Sequence, residues 1–147
     1  MDTAQQLIQP VVALLIWSMV MWGWMYAVRL PAVAAMKMKF DPTLPSGVQM
    51  AQLPAKVRWK ADNYNHLMEQ PTLFYATVLS LCVLGEYPAF TVYMAWSYMV
   101  LRVLHSLLQA LTNTVEVRFV LYMLSNIPLL VLIAIAANAV FFDTVGG

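Results

Sequence analysis

Long runs of hydrophobic residues alternate along the chain with short stretches in which polar residues and helix breakers collect. The runs cover about residues 7–30, 54–84, 89–111 and 119–142. At a rise of about 1.5 Å per residue, roughly 20 helical residues cross the 30 Å or so of hydrocarbon in a bilayer. Each run is long enough to cross, so the pattern predicts an all-α integral membrane four-helix bundle that forms a single domain over residues 1–147.

Helix breakers set the expected boundaries of these runs. Residues 31–53 combine charged residues with proline and glycine, which predicts a loop with one short helix at about residues 32–38. Pro54 suits the first turn of the second helix, because a proline there gives up an N–H group that would have no helical partner. Pro71 lies inside the same helix and predicts a kink. Residues 85–88 then predict a tight turn into the third helix.

Basic residues collect on one side of the predicted membrane. A short polar break at residues 112–118 leads into the fourth run, and no lysine or arginine precedes the first run or follows the fourth. The loop between the first two runs and its flanks hold most of the basic residues, which are Arg29, Lys37, Lys39, Lys56, Arg58 and Lys60. The positive-inside rule places this loop in the cytoplasm and both termini on the opposite side.

The first half of the second helix is the most polar helical segment of the chain. At about 100° per residue, five polar side chains fall on one face. They are Arg58, Asp62, Asn65, His66 and Glu69. One interpretation is a wetted overhang in which Arg58 pairs with Asp62. Glu69 favours a functional interpretation, because it directly precedes the apolar part of the helix, where an unpaired charge costs about 3 kcal/mol.

The third helix also carries a polar stripe, and the fourth begins with a cation. The stripe consists of Tyr98, Arg102, His105, Gln109 and Asn113, while Arg118, Tyr122 and Ser125 share one side of the fourth helix. We expect a bundle to bring the arginines of the three helices around the same space as Asn65, Glu69 and His105. The structural alternative is that pairs such as Glu69 with Arg102 only hold the bundle together.

Charge and composition narrow the chemistry of such a site. Two further carboxylates, Asp62 and Glu116, are expected to reach water, so buried cations would outnumber buried anions and suit a small anionic ligand. His66 and His105 have no cysteine or second carboxylate at a ligand spacing, so no metal is predicted. The chain is 62% hydrophobic and 10% charged, which predicts a lipid environment. Its net charge of +1 offers no basic surface for a nucleic acid, so a nucleic-acid partner is excluded. Its single cysteine excludes an internal disulfide.

These motifs resemble the membrane-associated proteins in eicosanoid and glutathione metabolism, the MAPEG family, which includes the microsomal glutathione transferases. The second helix is similar to the family pattern at Asn65, Glu69, Pro71 and Phe74, and the later helices resemble it at Arg102 with His105 and at Arg118 with Tyr122. The chain departs from the pattern in that Ala61 stands where the family has arginine, Glu69 follows Asn65 by four residues rather than three, and Gln109 replaces an aromatic hydroxyl.

The resemblance implies a homotrimer with a glutathione site between neighbouring subunits that opens toward the bilayer. It implies that Arg118 stabilises the glutathione thiolate and that Arg58, Lys60 and Arg102 hold its carboxylates. Asn65 and Glu69 would receive its ammonium group. The remaining residues that it assigns to the site are His105, Gln109, Asn113 and Tyr122. The second substrate would be an apolar electrophile from the lipid, to be conjugated or reduced. The competing interpretation is a non-catalytic family member that binds a lipid or a thiol.

Overall fold

The computed structural model describes residues 3–86 and 88–142, and within those residues every regular element is a helix. α3 and α4 are separated only by Gln70, whose φ of −64° and ψ of −37° are still helical, so together they act as one long element. The structure therefore confirms the predicted all-α four-helix bundle. The helices are α1 (Thr3–Ala35), α2 (Ser46–Met50), α3 (Ala55–Glu69), α4 (Pro71–Leu84), α5 (Ala89–Leu111) and α6 (Val115–Phe141).

α5 is the central helix of the bundle. It packs against α1, α3 and α6, while α4 packs against α1 and α6. The core between these helices is apolar at its centre, where the rings of Phe74 and Tyr98 stack with centroids 4.4 Å apart. Further fully or nearly fully buried members of this core are Leu7, Leu14, Met21, Leu81 and Leu132.

The outer surface of the bundle is rich in large apolar side chains, as lipid contact requires. Ile16, Val83 and Leu130 are examples, with exposed fractions of 61%, 88% and 64%. Among the described residues, three helices are long and apolar enough to cross a membrane, and they cover Ala4–Ala35, Ala55–Leu84 and Val115–Phe141. α5 is less apolar because it carries a stripe of polar side chains. These side chains point into the bundle, where Arg102, His105 and Gln109 are buried. The protein is an integral membrane protein.

Two helix boundaries differ from the sequence prediction. α1 continues through Pro31 to Ala35, so the short helix predicted at residues 32–38 is wrong. The alanines that follow Pro31 are strong helix formers, and a proline removes only one backbone donor. The short helix of this region is α2 instead. α6 begins at Val115, which shortens the predicted polar break and places Arg118 in the first turn of a helix.

The loop between α1 and α3 is held by side-chain hydrogen bonds. Gln49 is buried, and its Nε2 donates to the carbonyl oxygens of Asp41 and Leu44 at 2.9 and 3.0 Å. The Asp41 carboxylate accepts hydrogen bonds from the hydroxyl and the backbone N–H of Thr43, and these bonds lower the pKa of Asp41. At the other end of the bundle, Gly85 ends α4 in the left-handed conformation with a φ of 80°. Tyr87, in the predicted turn, lies outside the described residues.

Candidate functional site

A small cleft with Arg118 in its wall opens where α3, α5 and α6 meet. It has a volume of about 220 Å³. Arg118 lies in the first turn of α6, where its Nη1 donates to the side-chain oxygen of Asn113, while its buried Nε has no partner among the described residues. We call this space the Arg118 cleft. Its lining residues are His66, His105, Val115, Arg118, Phe119 and Tyr122.

Arg118 forms no ion pair within 4.0 Å among the described residues. Among the described residues, one side-chain ion pair lies within 4.0 Å, and it joins His66 to Glu69 rather than to an arginine. Glu116 precedes Arg118 by two residues and is exposed, so its side chain points away from the bundle. An uncompensated guanidinium group in a partly buried cleft favours an anionic ligand, which it binds by charge-assisted hydrogen bonds.

His66 and Glu69 form a pair at the edge of this cleft. The Nδ1 atom of His66 lies 3.1 Å from Oε2 of Glu69, and the two side chains are 27% and 68% exposed. The His66 ring lies 5.2 Å from the ring of His105 and 5.5 Å from that of Tyr122. The imidazole of His66 therefore lines the Arg118 cleft from α3, and its Nδ1 atom is hydrogen-bonded to the Glu69 carboxylate.

His105 is a buried link between α5 and α6. Its Nδ1 lies 3.0 Å from the backbone carbonyl oxygen of Arg118, and its Nε2 lies 3.2 Å from the side-chain amide of Gln109. A carbonyl oxygen can only accept, so Nδ1 carries the hydrogen and donates to Arg118. Nδ1 of His105 thus links α5 to the beginning of α6, whereas the contact of Nε2 lies within α5.

Arg102 lies deeper in the bundle and is 0% exposed. Its Nη2 donates to the backbone carbonyl of His66 at 3.1 Å, and its guanidinium carbon lies 5.7 Å from the centre of the Tyr122 ring. Its Nε and Nη1 atoms have no partner among the described residues. Glu69 and Arg102, the example given for the structural alternative, form no ion pair within 4.0 Å among the described residues, and Glu69 bonds to His66.

A second concave surface lies along an adjacent face of α3. This Arg58 groove has a volume of about 320 Å³ and is bounded by the end of α1, by α2 and by α3. Arg58 and Asp62 both line it, but they do not approach within 4.0 Å as an ion pair among the described side chains. Arg29, at the end of α1, is a second cation here that the sequence did not assign to a site. The lining residues are Arg29, Ser46, Gly47, Met50, Ala51, Arg58, Ala61, Asp62 and Asn65.

The predicted convergence of all these residues on one space does not occur within a single chain. The Arg58 groove and the Arg118 cleft share no lining residue. Neighbouring positions on a helix point about 100° apart, so Asn65 faces the groove while His66 faces the cleft.

Two other predicted site residues also lie elsewhere. Lys60 lies over the ring of Trp24 at 5.4 Å and donates to the carbonyl of Lys56. It does not line either space. Asn113 follows the end of α5 with a φ of 54°, so it is not part of the helical stripe that ends at Gln109. Its side chain nevertheless contributes to the site, because it accepts the hydrogen bond from Arg118.

A buried polar network that sequence reasoning missed joins three helices. The Oγ atom of Ser106 accepts hydrogen bonds from Nδ2 of Asn63 at 2.7 Å and from Nε1 of Trp17 at 2.9 Å. Asn63 and Ser106 are 1% and 0% exposed. The sequence indicated these two residues only weakly, because Asn63 directly follows Asp62 and Ser106 directly follows His105, which were both assigned to polar faces. A further polar link joins Gln70, which lies between α3 and α4, to Asn126 on α6, because Nε2 of Gln70 donates to the side-chain oxygen of Asn126.

Taken together, the apolar exterior and the two concave surfaces that carry arginine side chains define an integral membrane helical bundle with polar surfaces between its helices. The chain matches the MAPEG family over residues 7–138, nearly its whole length, and it belongs to that family of membrane-associated proteins in eicosanoid and glutathione metabolism. This match confirms the resemblance that the motifs indicated. No curated protein and no solved structure matches the chain.

Proposed function

We propose that this protein is a membrane-bound glutathione-dependent transferase that conjugates or reduces apolar electrophiles through a thiolate stabilised by Arg118. The observation that carries the proposal is the charge state of the Arg118 cleft. Arg118 has a buried Nε without a partner and no carboxylate within 4.0 Å among the described residues. A fixed cation beside a thiol in a site of low dielectric favours the thiolate, which is the reactive species.

The chemistry follows from the walls of the cleft. The thiolate would lie against the Arg118 guanidinium and attack the electrophile, forming a carbon–sulfur bond in a conjugation. Val115 and Phe119 line the same cleft and are exposed on the outside of the bundle, Phe119 by 61%. An apolar substrate dissolved in the bilayer could therefore reach the sulfur without crossing water. A cleft beside the hydrocarbon would hold little water, and the resulting low dielectric would strengthen the electrostatic effect of the Arg118 cation on the thiolate.

The separation of the two concave surfaces supports a site that is completed by a second copy of the chain. Arg58 and Asn65 line the groove, whereas Arg118 and Tyr122 line the cleft. Glutathione carries two carboxylates, one ammonium group and the thiol, so one surface alone offers too few partners. We propose a homotrimer in which the groove of one subunit faces the cleft of its neighbour, with Arg58 directed to a carboxylate and Asn65 and Glu69 to the ammonium group.

The orientation in the membrane is part of the same proposal. The end of α1, the beginning of α3 and the loop between them carry six of the eight lysine and arginine residues of the chain. The positive-inside rule places this end of the bundle, and with it the Arg58 groove, at the cytoplasmic surface. α5 also crosses the membrane in this proposal. Its polar side chains are shielded from lipid by the three more apolar helices.

Thiolate absorbance in the ultraviolet tests this function directly. Purified protein in detergent should develop the absorbance when glutathione is added, and the signal should saturate. Lys39→Gln, which changes an exposed cation of the loop, serves as the matched control and should leave the signal intact. Saturable glutathione binding without a thiolate signal would favour the non-catalytic interpretation, and an absence of binding would refute a glutathione-dependent function altogether.

A further inference from the structure

Of the two histidines in the chain, His66 is the one that keeps a ring nitrogen without a hydrogen-bond partner among the described residues. His105 uses Nδ1 for the Arg118 carbonyl and Nε2 for Gln109. His66 makes its single side-chain hydrogen bond among the described residues through Nδ1, which lies 3.1 Å from the Glu69 carboxylate. A carboxylate accepts and cannot donate, so the neutral imidazole carries its hydrogen on Nδ1 and a lone pair on Nε2.

The charged groups around His66 come from three helices. On α3 itself, Glu69 is the carboxylate partner. From α5, Arg102 donates to the His66 backbone carbonyl and His105 lies ring against ring. From α6, Tyr122 lies beside the His66 ring and Arg118 lines the same cleft. Glu69 is thus the carboxylate among these groups, while Arg102 and Arg118 contribute positive charge from α5 and α6.

We propose that His66 is the general base that removes the thiol proton of glutathione, and that Glu69 is the residue that positions it. This inference rests on the function proposed above. The S–H bond breaks, the proton passes to Nε2 of His66, and the electron pair stays on sulfur as a thiolate beside Arg118. The sulfur then bonds to the electrophile, and the group that accepts the displaced electron pair takes the proton back from His66.

The pair of His66 and Glu69 would supply a proton acceptor, which Arg118 alone cannot supply. Arg118 stabilises the thiolate once it exists, but a guanidinium group stays protonated in proteins and cannot receive a proton. A base in the wall of the cleft gives the proton a destination within the site. Proton transfer to a positioned base typically contributes 10² to 10⁴-fold to a rate, roughly. The thiolate and the imidazolium would then form an ion pair in which each favours the charged form of the other.

Counting protons while the thiolate forms tests this assignment. The wild-type protein and glutathione are mixed in weak buffer at roughly pH 7.5, where an ordinary histidine is mostly neutral. A pH indicator reports protons released, and ultraviolet absorbance reports thiolate formed. S-methylglutathione, which has no thiol proton, corrects for protons linked to binding alone. The wild type should release clearly less than one proton per thiolate, because His66 keeps it.

Two variants separate the base from its positioning partner. His66→Asn retains a donor for Glu69 but has no basic nitrogen, so it should release one proton per thiolate and form the thiolate roughly 100-fold more slowly. Glu69→Gln keeps a hydrogen-bond acceptor and loses the charge. It should slow thiolate formation and move the rising limb of its pH profile to lower pH, which a merely structural role for Glu69 would not do.

The results that would overturn the inference are distinct from those that would overturn the function. One proton per thiolate in the wild type itself would refute His66 as the base, even if His66→Asn failed to fold, while the thiolate proposal would stand. An absence of thiolate absorbance in the wild type would refute the proposed function and the inference together. Equal rates of thiolate formation in the wild type and in folded His66→Asn would also refute the inference.

Discussion

At the residue scale, the cations of the site differ in what surrounds them. Arg102 is fully buried and bonds to a backbone carbonyl, whereas Arg118 borders an open cleft and bonds to Asn113. Removing a buried hydrogen-bond donor leaves its acceptor unsatisfied, which costs about 1–3 kcal/mol. Substitution of Arg102 is therefore expected to affect folding first. Arg118 is the cation whose chemical role can be tested more cleanly.

The first prediction is that Arg118→Leu abolishes the thiolate signal and lowers turnover while leaving glutathione affinity within a few fold. The reason is that its proposed contribution is to a charge that exists only after the thiol has ionised, so the loss appears in kcat rather than in binding. Ultraviolet absorbance and binding titration on the same preparation measure the two quantities. Arg118→Lys, which keeps the charge, should retain part of the signal. Unchanged turnover in folded Arg118→Leu would show that the arginine only extends to the headgroups.

At the element scale, the sequence predicted the helices well and the faces of α3 less well. The apolar runs identified every long helix, because length and hydropathy determine which segments span a membrane. The polar face of α3 was treated as one surface, but it spans an arc of about 100°, wide enough for Asn65 and His66 to meet different neighbours. Which neighbour lies on which side depends on the packing of α2 and α6, and periodicity within one helix carries no information about that.

The polar network around Ser106 predicts a stability effect that depends on three helices. Ser106→Ala should lower the free energy of unfolding by about 2 kcal/mol, because it leaves the buried donors of Asn63 and Trp17 without an acceptor. Thermal or denaturant unfolding in detergent measures the change. Ser97→Ala is the matched control on the same helix, since the side-chain hydrogen bond of Ser97 among the described residues goes to the Tyr93 carbonyl one turn earlier. Equal stability of the two variants would contradict a structural role for the network.

The end of α4 predicts a second, independent effect at the same scale. Gly85 has a φ of 80°, in the region that an L side chain adopts only with strain, so Gly85→Ala should destabilise the protein by about 1 kcal/mol. Gly23 lies in the interior of α1, and an added Cβ would meet nothing within 4 Å. Gly23→Ala should therefore be neutral or stabilising by up to about 1 kcal/mol. Unfolding measurements that ranked the two variants in the opposite order would contradict this account of the turn.

At the scale of the whole molecule, the membrane orientation rests on the distribution of charge. In a Cys82→Ala background, a cysteine at Pro42 in the basic loop should react with an impermeant thiol reagent from the cytoplasmic side. A cysteine at Gly146, near the carboxyl terminus, should react from the opposite side. The basic loop predicts this result because lysine and arginine beside a span are retained in the cytoplasm. The reverse labelling pattern would refute the topology and move the Arg58 groove to the other surface.

The last prediction concerns the site that two copies of the chain would share. Arg58→Leu damages the groove and Arg118→Leu damages the cleft, so each variant alone should have low activity. If every site takes its groove from one subunit and its cleft from the next, random mixing of the two variants leaves both halves intact at about a quarter of the interfaces. Coexpression should therefore restore activity well above either parent.

A site contained within one chain gives the opposite result, because every chain in the mixture carries one defect. Coexpressed variants would then be no more active than the parents, and the shared site would be refuted. The two variants purified separately and mixed in detergent form the control, since oligomers that have already assembled should exchange subunits slowly. Full activity of Arg58→Leu alone would be equally informative, because the Arg58 groove would then lie outside the glutathione site and the thiol chemistry would belong to the Arg118 cleft by itself.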